Sequence, residues 1–549
     1  MSRRFLHEWR QITIIVGLTL VSVAGCEGLL GDDDAYRVKI VPEKLHHIET
    51  LELEKASEQA RDVVADANEE PAEEITLTLE QCRALTLGNN LDLKVQLVNP
   101  AIAAERISQE EARFEALFSA NGGVGKTDTP VPSTLDIAGS NVDYSYSGLG
   151  VRVPLRTGGT VNFDIADNRT KTDSLFAVFN PSYSSDMSLS LSQPLLRNAG
   201  HRVNTYSIRI AELQKQMTDA RTKLEVIRVL AAVDKVYWRL YAARMLLDVR
   251  KKQYDLAKKL YEQALRFVDA GDKPQVEVVR TEAGVAQQLE AIILAENSVR
   301  DRERDLKRTL NKRGLGMQTP TVVVPATVPD PVRYDLDRRR LVVMAVENRM
   351  EMLELELQIA EDVATVDYME NLALPLVTMN YRYNINGLGP TRDDSLDLLF
   401  DKRFEDHQLG FQLFVPLGNE AGKSQMRQAL YQRRQRLASR DSRQAMIELE
   451  VLNAIDQVEA NWQRVLASRQ RAILDGRLFG AEQRQFELGL GISTDVLQAQ
   501  ANFANAQSAE ILALAEYQIS LIDLAYATGT LMGAAKVEWE PLASPDDLK

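Results

Sequence analysis

The stretch that most resembles reaction chemistry is Ala120-Asn121-Gly122-Gly123-Val124-Gly125-Lys126-Thr127, which fits the loose form of a phosphate-binding loop. Such a loop follows a buried strand and opens a helix, so that free N-terminal amides meet the anion. Here the segment follows a helical pattern that ends near Leu117 and runs into Asp128-Thr129-Pro130-Val131-Pro132. Those prolines prevent a helix from starting after Thr127, and nucleotide binding is not expected. The adjacent pair His46-His47 lies in an acidic, polar stretch and reads as solvated linker. There is no Cys/His grouping of zinc spacing and no Gly-x-Ser-x-Gly elbow. Cys82 stands on a helical pattern with Leu79 and Leu85, as a buried small apolar residue would. No catalytic residue, cofactor or metal ligand is expected.

Of the two cysteines, the other carries the more specific signal. Arg3, Arg4 and Arg10 precede the apolar run Ile12–Val23, and the run closes with Val23-Ala24-Gly25-Cys26. Basic, apolar and small-residue regions in that order are a signal peptide, and its end resembles the bacterial lipobox, in which the cysteine thiol accepts a diacylglycerol. Residue 27 is Glu rather than the aspartate associated with inner-membrane retention, so the outer membrane is the expected destination. The formal net charge is -14, and residues 1–25 carry +2 of it, so the remaining chain is more acidic still. That balance argues against a nucleic-acid partner, which needs clustered positive charge. After the N-terminus no apolar run reaches the roughly 20 residues that a spanning helix needs, so any membrane passage requires a closed barrel.

The elements that position everything else come in two copies. Each half opens with a helical stretch (Leu77–Leu117, Leu336–Leu374) and continues through alternating strand-like segments. Each then enters a very long helix, turns sharply and returns. In the long helices Val226, Leu230, Val233, Tyr237 and Leu240 are spaced 4, 3, 4, 3, and Val451, Ile455, Val458, Trp462 and Val465 repeat the spacing. These are coiled-coil seams, which report packing rather than ligand binding. Spans 200–268 and 419–487 predict helices on the order of 100 Å long, with shorter helices at 276–311 and 496–532. The turns correspond: Gly271 lies seven residues before Val278, and Gly489 seven before Val496, with Glu277 and Asp495 immediately ahead of the valines. Strands are expected at Asn141–Leu155, Gly159–Thr170, Tyr183–Gln193, Leu376–Tyr383 and Gln408–Val415, with an acidic loop, Asn384–His407, between the last two. Such weakly alternating, Ser- and Gly-rich segments resemble outer-membrane barrel strands. Tyr144, Tyr146, Phe163, Tyr183, Tyr381, Tyr383, Phe411 and Phe414 are candidates for an interfacial girdle.

The lipobox, the two helix–strand–helix halves, the strand exits Gln193-Pro194-Leu195 and Val415-Pro416-Leu417, and the tip motifs Phe486-Glu487-Leu488-Gly489 and Ser493-Thr494-Asp495-Val496-Leu497 resemble the outer-membrane efflux protein (TolC) family, lipoprotein type. The resemblance covers about residues 75–533. It implies a mainly α protein with β: a duplicated long-helix coiled-coil tunnel below an outer-membrane β-barrel shared between subunits. About four strands per chain would make twelve in a homotrimer, and the strand-like pair within 141–171 exceeds that minimum. Expected segments are a signal peptide (1–25), a lipid-anchored tether (26–74), a first repeat (75–313), a linker (314–335), a second repeat (336–533) and a tail (534–549). The implied function is a passive exit duct of a tripartite export system, opened by a periplasmic adaptor and an inner-membrane transporter. The rival reading is a non-channel coiled-coil lipoprotein bridging envelope layers, which would have no reason to interrupt both halves with strands. The resemblance also implies site roles. Gly271, Asp272, Gly489, Leu490, Gly491 and Ile492 form tips where an adaptor docks. Asp495 matches the first of two ring-forming gate aspartates in the family's best-studied member, Gln498 stands at the second, and Glu277 is the first-half counterpart, expected to add a peripheral ring.

Overall fold

The computed structural model describes residues 74–130, 141–174 and 176–538. Cys26, the signal peptide, the tether to residue 73 and His46-His47 lie outside the described residues. Strand β1 (Glu74–Leu77) leads into three short helices, α1 (Leu79–Asn89), α2 (Leu91–Leu97) and α3 (Asn99–Glu111). Strands β2 (Leu117–Asp128), β3 (Asn141–Pro154), β4 (Thr160–Thr172) and β5 (Ser182–Pro194) precede the long helix α4 (Tyr206–Asp269) and its return, α5 (Val276–Leu310). Strand β6 (Val322–Pro325) pairs in parallel with β1. The second half comprises α6 (Arg338–Asn348), α7 (Met350–Leu372), β7 (Leu376–Gly389), α8 (Arg392–Phe400), β8 (Glu405–Phe414), the long helix α9 (Glu420–Glu487) and α10 (Ser493–Ala527).

Helices α4 and α9 run for 64 and 68 residues, about 96 and 102 Å at the helical rise. The predicted seams are their packed faces. Leu230, Val233, Tyr237 and Leu240 are fully buried in one cluster with Cys82, and Val451 and Ile455 are fully buried in a second with Tyr517. The duplication extends to a shared break in the entry helices. Asn90 and Arg349 have extended backbone between α1 and α2 and between α6 and α7. The Asn90 side chain caps α2 by accepting from the Leu93 amide at 2.9 Å. Arg349, 4% exposed, instead bonds Glu351 at 2.6 Å and pairs with Glu450.

Helix α1 is held on α4 by a buried ion pair. Arg83 Nε and Nη2 donate to the two carboxylate oxygens of Asp234, at 2.8 and 2.7 Å. Burial pushes the Asp234 carboxyl above its ordinary pKa, and Arg83 works against that shift. The Cys82 thiol, buried and facing the Asp234 charge, is pushed up to about 12, so it is inert packing as expected.

The sheet corrects the expected strand count. Six strands, not about four, form one antiparallel sheet in the order β2-β3-β4-β5-β7-β8. The missed strand is β2, which contains the phosphate-loop look-alike; Ala120–Thr127 pairs residue by residue with Val142–Leu149. Its glycines hide the alternation, but the partner strand covers them. A Cβ on Gly123 would strike the Tyr146 ring at 2.8 Å, and one on Gly125 would strike Tyr144 at 2.4 Å. The acidic loop is also more ordered than expected: β7 runs on to Gly389, α8 follows, and β8 begins at Glu405.

Register sorts the side chains onto two faces. One cross-sheet row reads Phe118, Val151, Phe163, Leu189, Tyr383, and the next reads Ala120, Leu149, Ile165, Met187, Ile385. The opposite face reads Arg152, Asn162, Ser190, Arg382, Gln408. Three of the girdle candidates are thereby reassigned: Tyr144, Tyr146 and Phe414 share the polar face, whereas Phe163, Tyr183, Tyr381, Tyr383 and Phe411 lie on the apolar one.

Candidate functional site: the paired helix tips

The two long hairpins reverse by the same device. After α4 the Gly271 amide donates to the Val268 carbonyl at 2.9 Å and the Asp272 amide to Phe267 at 2.9 Å. After α9 the Gly489 amide donates to Phe486 at 3.0 Å and the Leu490 amide to Gln485 at 3.0 Å. Each is a Schellman turn with a left-handed glycine, φ +82° at Gly271 and +76° at Gly489. A side chain at either position would be strained by the backbone alone. Asp272 is exposed.

The tips are tied to one another by side chains reaching across the two turns. Lys273 donates to the Gly491 carbonyl at 2.7 Å and lies over the Phe486 ring at 5.4 Å. Phe486, fully buried, meets Phe267 edge-on at 5.7 Å. Glu277 is the link between returning helices. Its carboxylate accepts from the Ser493 amide at 3.2 Å and from the Ser493 hydroxyl, and it pairs with Arg280 at 2.8 Å. Burial would raise its pKa, but the Ser493 donors and the Arg280 charge outweigh burial and hold it below the usual carboxylate range. At 5% exposure Glu277 is not a free surface carboxylate in the chain; it joins the two tips through Ser493.

Asp495, its counterpart in the second half, points the other way. It is exposed in the first turn of α10, whose N-cap residue Ile492 makes no side-chain cap and whose first amide is taken by Glu277. A carboxylate there is favoured by the helix dipole whatever else it does. Gln498, one turn on, is also exposed and donates to Asn502 at 3.1 Å. The apolar tip surface is wider than the Leu490–Ile492 pair alone. Leu490 is 81% exposed, Leu488 74% and Ile492 48%. Val276 and Val279 at the first tip are exposed too. Their only sequence signal is apolar residues on a turn that an ordinary protein would leave polar. Among the described residues no group of His, Cys, Asp and Glu is arranged to hold a metal, and no helix is long and apolar enough to cross a membrane.

The family model for outer membrane efflux proteins matches residues 160–312 and 341–530. The chain belongs to the outer membrane efflux protein family, and is an outer-membrane exit duct with a large periplasmic helical part. No curated protein matches the chain at a significant level. Among solved structures it is similar to the outer-membrane channel OprN, at 13% identity and a TM-score of 0.61, over 82% of this chain and 90% of that one. It is also similar to the CmeC outer membrane channel of Campylobacter jejuni (14% identity, TM-score 0.60, 82% and 86%). A third is the outer membrane protein VceC of Vibrio cholerae (13%, 0.60, 82% and 96%). At such identities the likeness is one of fold. The family is one of channels, not enzymes.

Proposed function

We propose that this duct works as a homotrimer, lipid-anchored at Cys26, which accepts an inner-membrane transporter's cargo through a periplasmic adaptor docked on the helix tips. The observation that carries the reading is the tip surface: Leu488, Leu490 and Ile492 stand exposed at the end of an approximately 100 Å helix. They stand a long helix away from the strands, and Leu488 and Leu490 are largely uncovered by the chain itself. Apolar side chains on a rigid turn suit a helical-hairpin partner, because a preformed turn loses little entropy on docking. Asp495, exposed beside that surface, is the gate carboxylate in this reading. Three copies converging on one axis repel each other and attract cations.

Replacing Leu490 with Asp tests the docking. Export in cells is expected to fall at least tenfold while trimer and barrel persist in detergent, since a charge in an apolar contact costs well over about 1.4 kcal/mol; unchanged export refutes docking at this tip. The anchor is tested by labelled palmitate, with incorporation expected in the wild type and lost in Cys26→Ala. Label persisting in that variant excludes Cys26 as the lipid acceptor.

A further inference from the structure

The six-stranded sheet fixes more about the pore than its existence. From the unbroken ladder we infer that the outer-membrane barrel of this duct has eighteen strands, three copies of six, and a mouth wide enough for cargo that a twelve-stranded exit excludes. The inference rests on the trimeric reading above.

Three observations place the additional hairpin in the barrel wall. First, β2 and β3 continue the ladder of β4 with constant pleat parity, twelve paired positions from Leu117 to Asp128 and thirteen from Val142 to Pro154. A plug folded into the lumen or a flap lying outside would break that register. Second, the pair carries the same apolar face as the rest. Phe118, Val124 and Leu149 are 71%, 72% and 52% exposed, on the face shared by Phe163 and Leu189. An exposed apolar stripe of this kind suits a lipid-facing wall. Third, the turn that joins β3 to β4 is built onto the helical part. The Thr157 carbonyl accepts from the Gly200 amide at 3.0 Å and from Gln193 at 3.1 Å. Gly158, at φ +92°, lies against the Asn198 carbonyl, and Arg156 stacks over Phe114 at 5.7 Å. The hairpin is thus held at its base as wall.

Closure follows from the edges. β2 and β8 each have one neighbour in the sheet, and an open edge is not tolerated in lipid. With six alternating antiparallel strands, β2 and β8 run in opposite directions. The β8 edge of one copy therefore meets the β2 edge of the next antiparallel, and the alternation continues around the ring. With strands about 4.8 Å apart and tilted about 40°, eighteen give a backbone diameter of about 36 Å, against about 24 Å for twelve. The inward face is nearly balanced in charge: Arg152 and Arg382 stand against Asp164, Asp186 and Asp406, among serines and asparagines. The mouth therefore sorts cargo by size rather than by charge.

The test combines imaging and polymer exclusion on the full chain. Native mass spectrometry of detergent-extracted protein gives the copy number, and end-on electron cryomicroscopy counts the strands. In planar bilayers, neutral polyethylene glycols of graded size, added on the barrel side, report the width of the mouth. A trimer with eighteen strands is expected, and deletion of residues 117–159 is expected to yield a twelve-stranded trimer with a smaller polymer cut-off. A wild-type trimer whose wall has twelve strands overturns the inference while leaving the duct reading intact. An equal cut-off in a folded deletion variant also overturns it, and an assembly other than a trimer overturns the reading beneath it. Should the deletion variant not fold, the strand count of the wild type still decides.

Discussion

Asp495 and Glu277 occupy equivalent places after the two tips, yet the fold gives them opposite work. Glu277 turns inward, where two Ser493 donors and Arg280 satisfy it, while Asp495 stays in solvent on the first turn of α10. Sequence could show the equivalence but not the divergence, because the divergence depends on which returning helix presents its N-terminus to the other. In the gate reading, Asp495→Asn weakens cation selectivity, seen as a reversal potential moved toward zero in a salt gradient. Thermal stability should change by no more than about 0.5 kcal/mol, as for an exposed site. A reversal potential equal to the wild type's, with a small loss of stability, would reduce Asp495 to a helix-start residue. With Gln498 at the second position, divalent block should be shallow.

At the scale of elements, the long helices are legible in the sequence, whereas α8, the breaks in the entry helices and part of the sheet are not. The 4, 3, 4, 3 seams mark coiled-coil helices, and the long helices end at Asp269 and Glu487, within one residue of the expected 268 and 487, because glycine turns follow at once. The entry helices were read as continuous because their breaks at Asn90 and Arg349 interrupt no apolar pattern. Strand β2 escaped because its core-forming partner is not in its own sequence: tyrosines of β3 supply the covering that its glycines lack. The clamp between tips escaped for the same reason, being made of side chains more than two hundred positions apart. That clamp is testable. The folded pKa of Glu277 lies below its ordinary value, so its contribution is complete above the usual glutamate range and is lost as pH falls through the folded value. A hydrogen bond to a charged group contributes about 1.5–3 kcal/mol. Glu277→Gln should therefore raise amide exchange across residues 270–280 and 489–496 by about tenfold or more at neutral pH. The wild type should do likewise only in acid. Equal exchange in both proteins at every pH would show that the carboxylate does not hold the tips.

For the molecule as a whole, the parts agree on one geometry. A sheet that is apolar on one face and polar on the other can sit in lipid only as a closed wall around water. The long helices hang from strand exits at Pro194 and Phe414 and carry the polar interior some 100 Å away. At that far end the two tips of each chain are tied together through Glu277–Ser493 and Lys273–Gly491, and Leu488 and Leu490 stand exposed. The central claim, a continuous water path through barrel and tunnel, is tested most directly by single-channel recording of the purified trimer in planar bilayers, wild type beside Glu277→Gln. Discrete current steps are expected in both, with the variant open more of the time because its tips are less firmly held. A folded, membrane-inserted trimer that passes no current in either form would contradict the account.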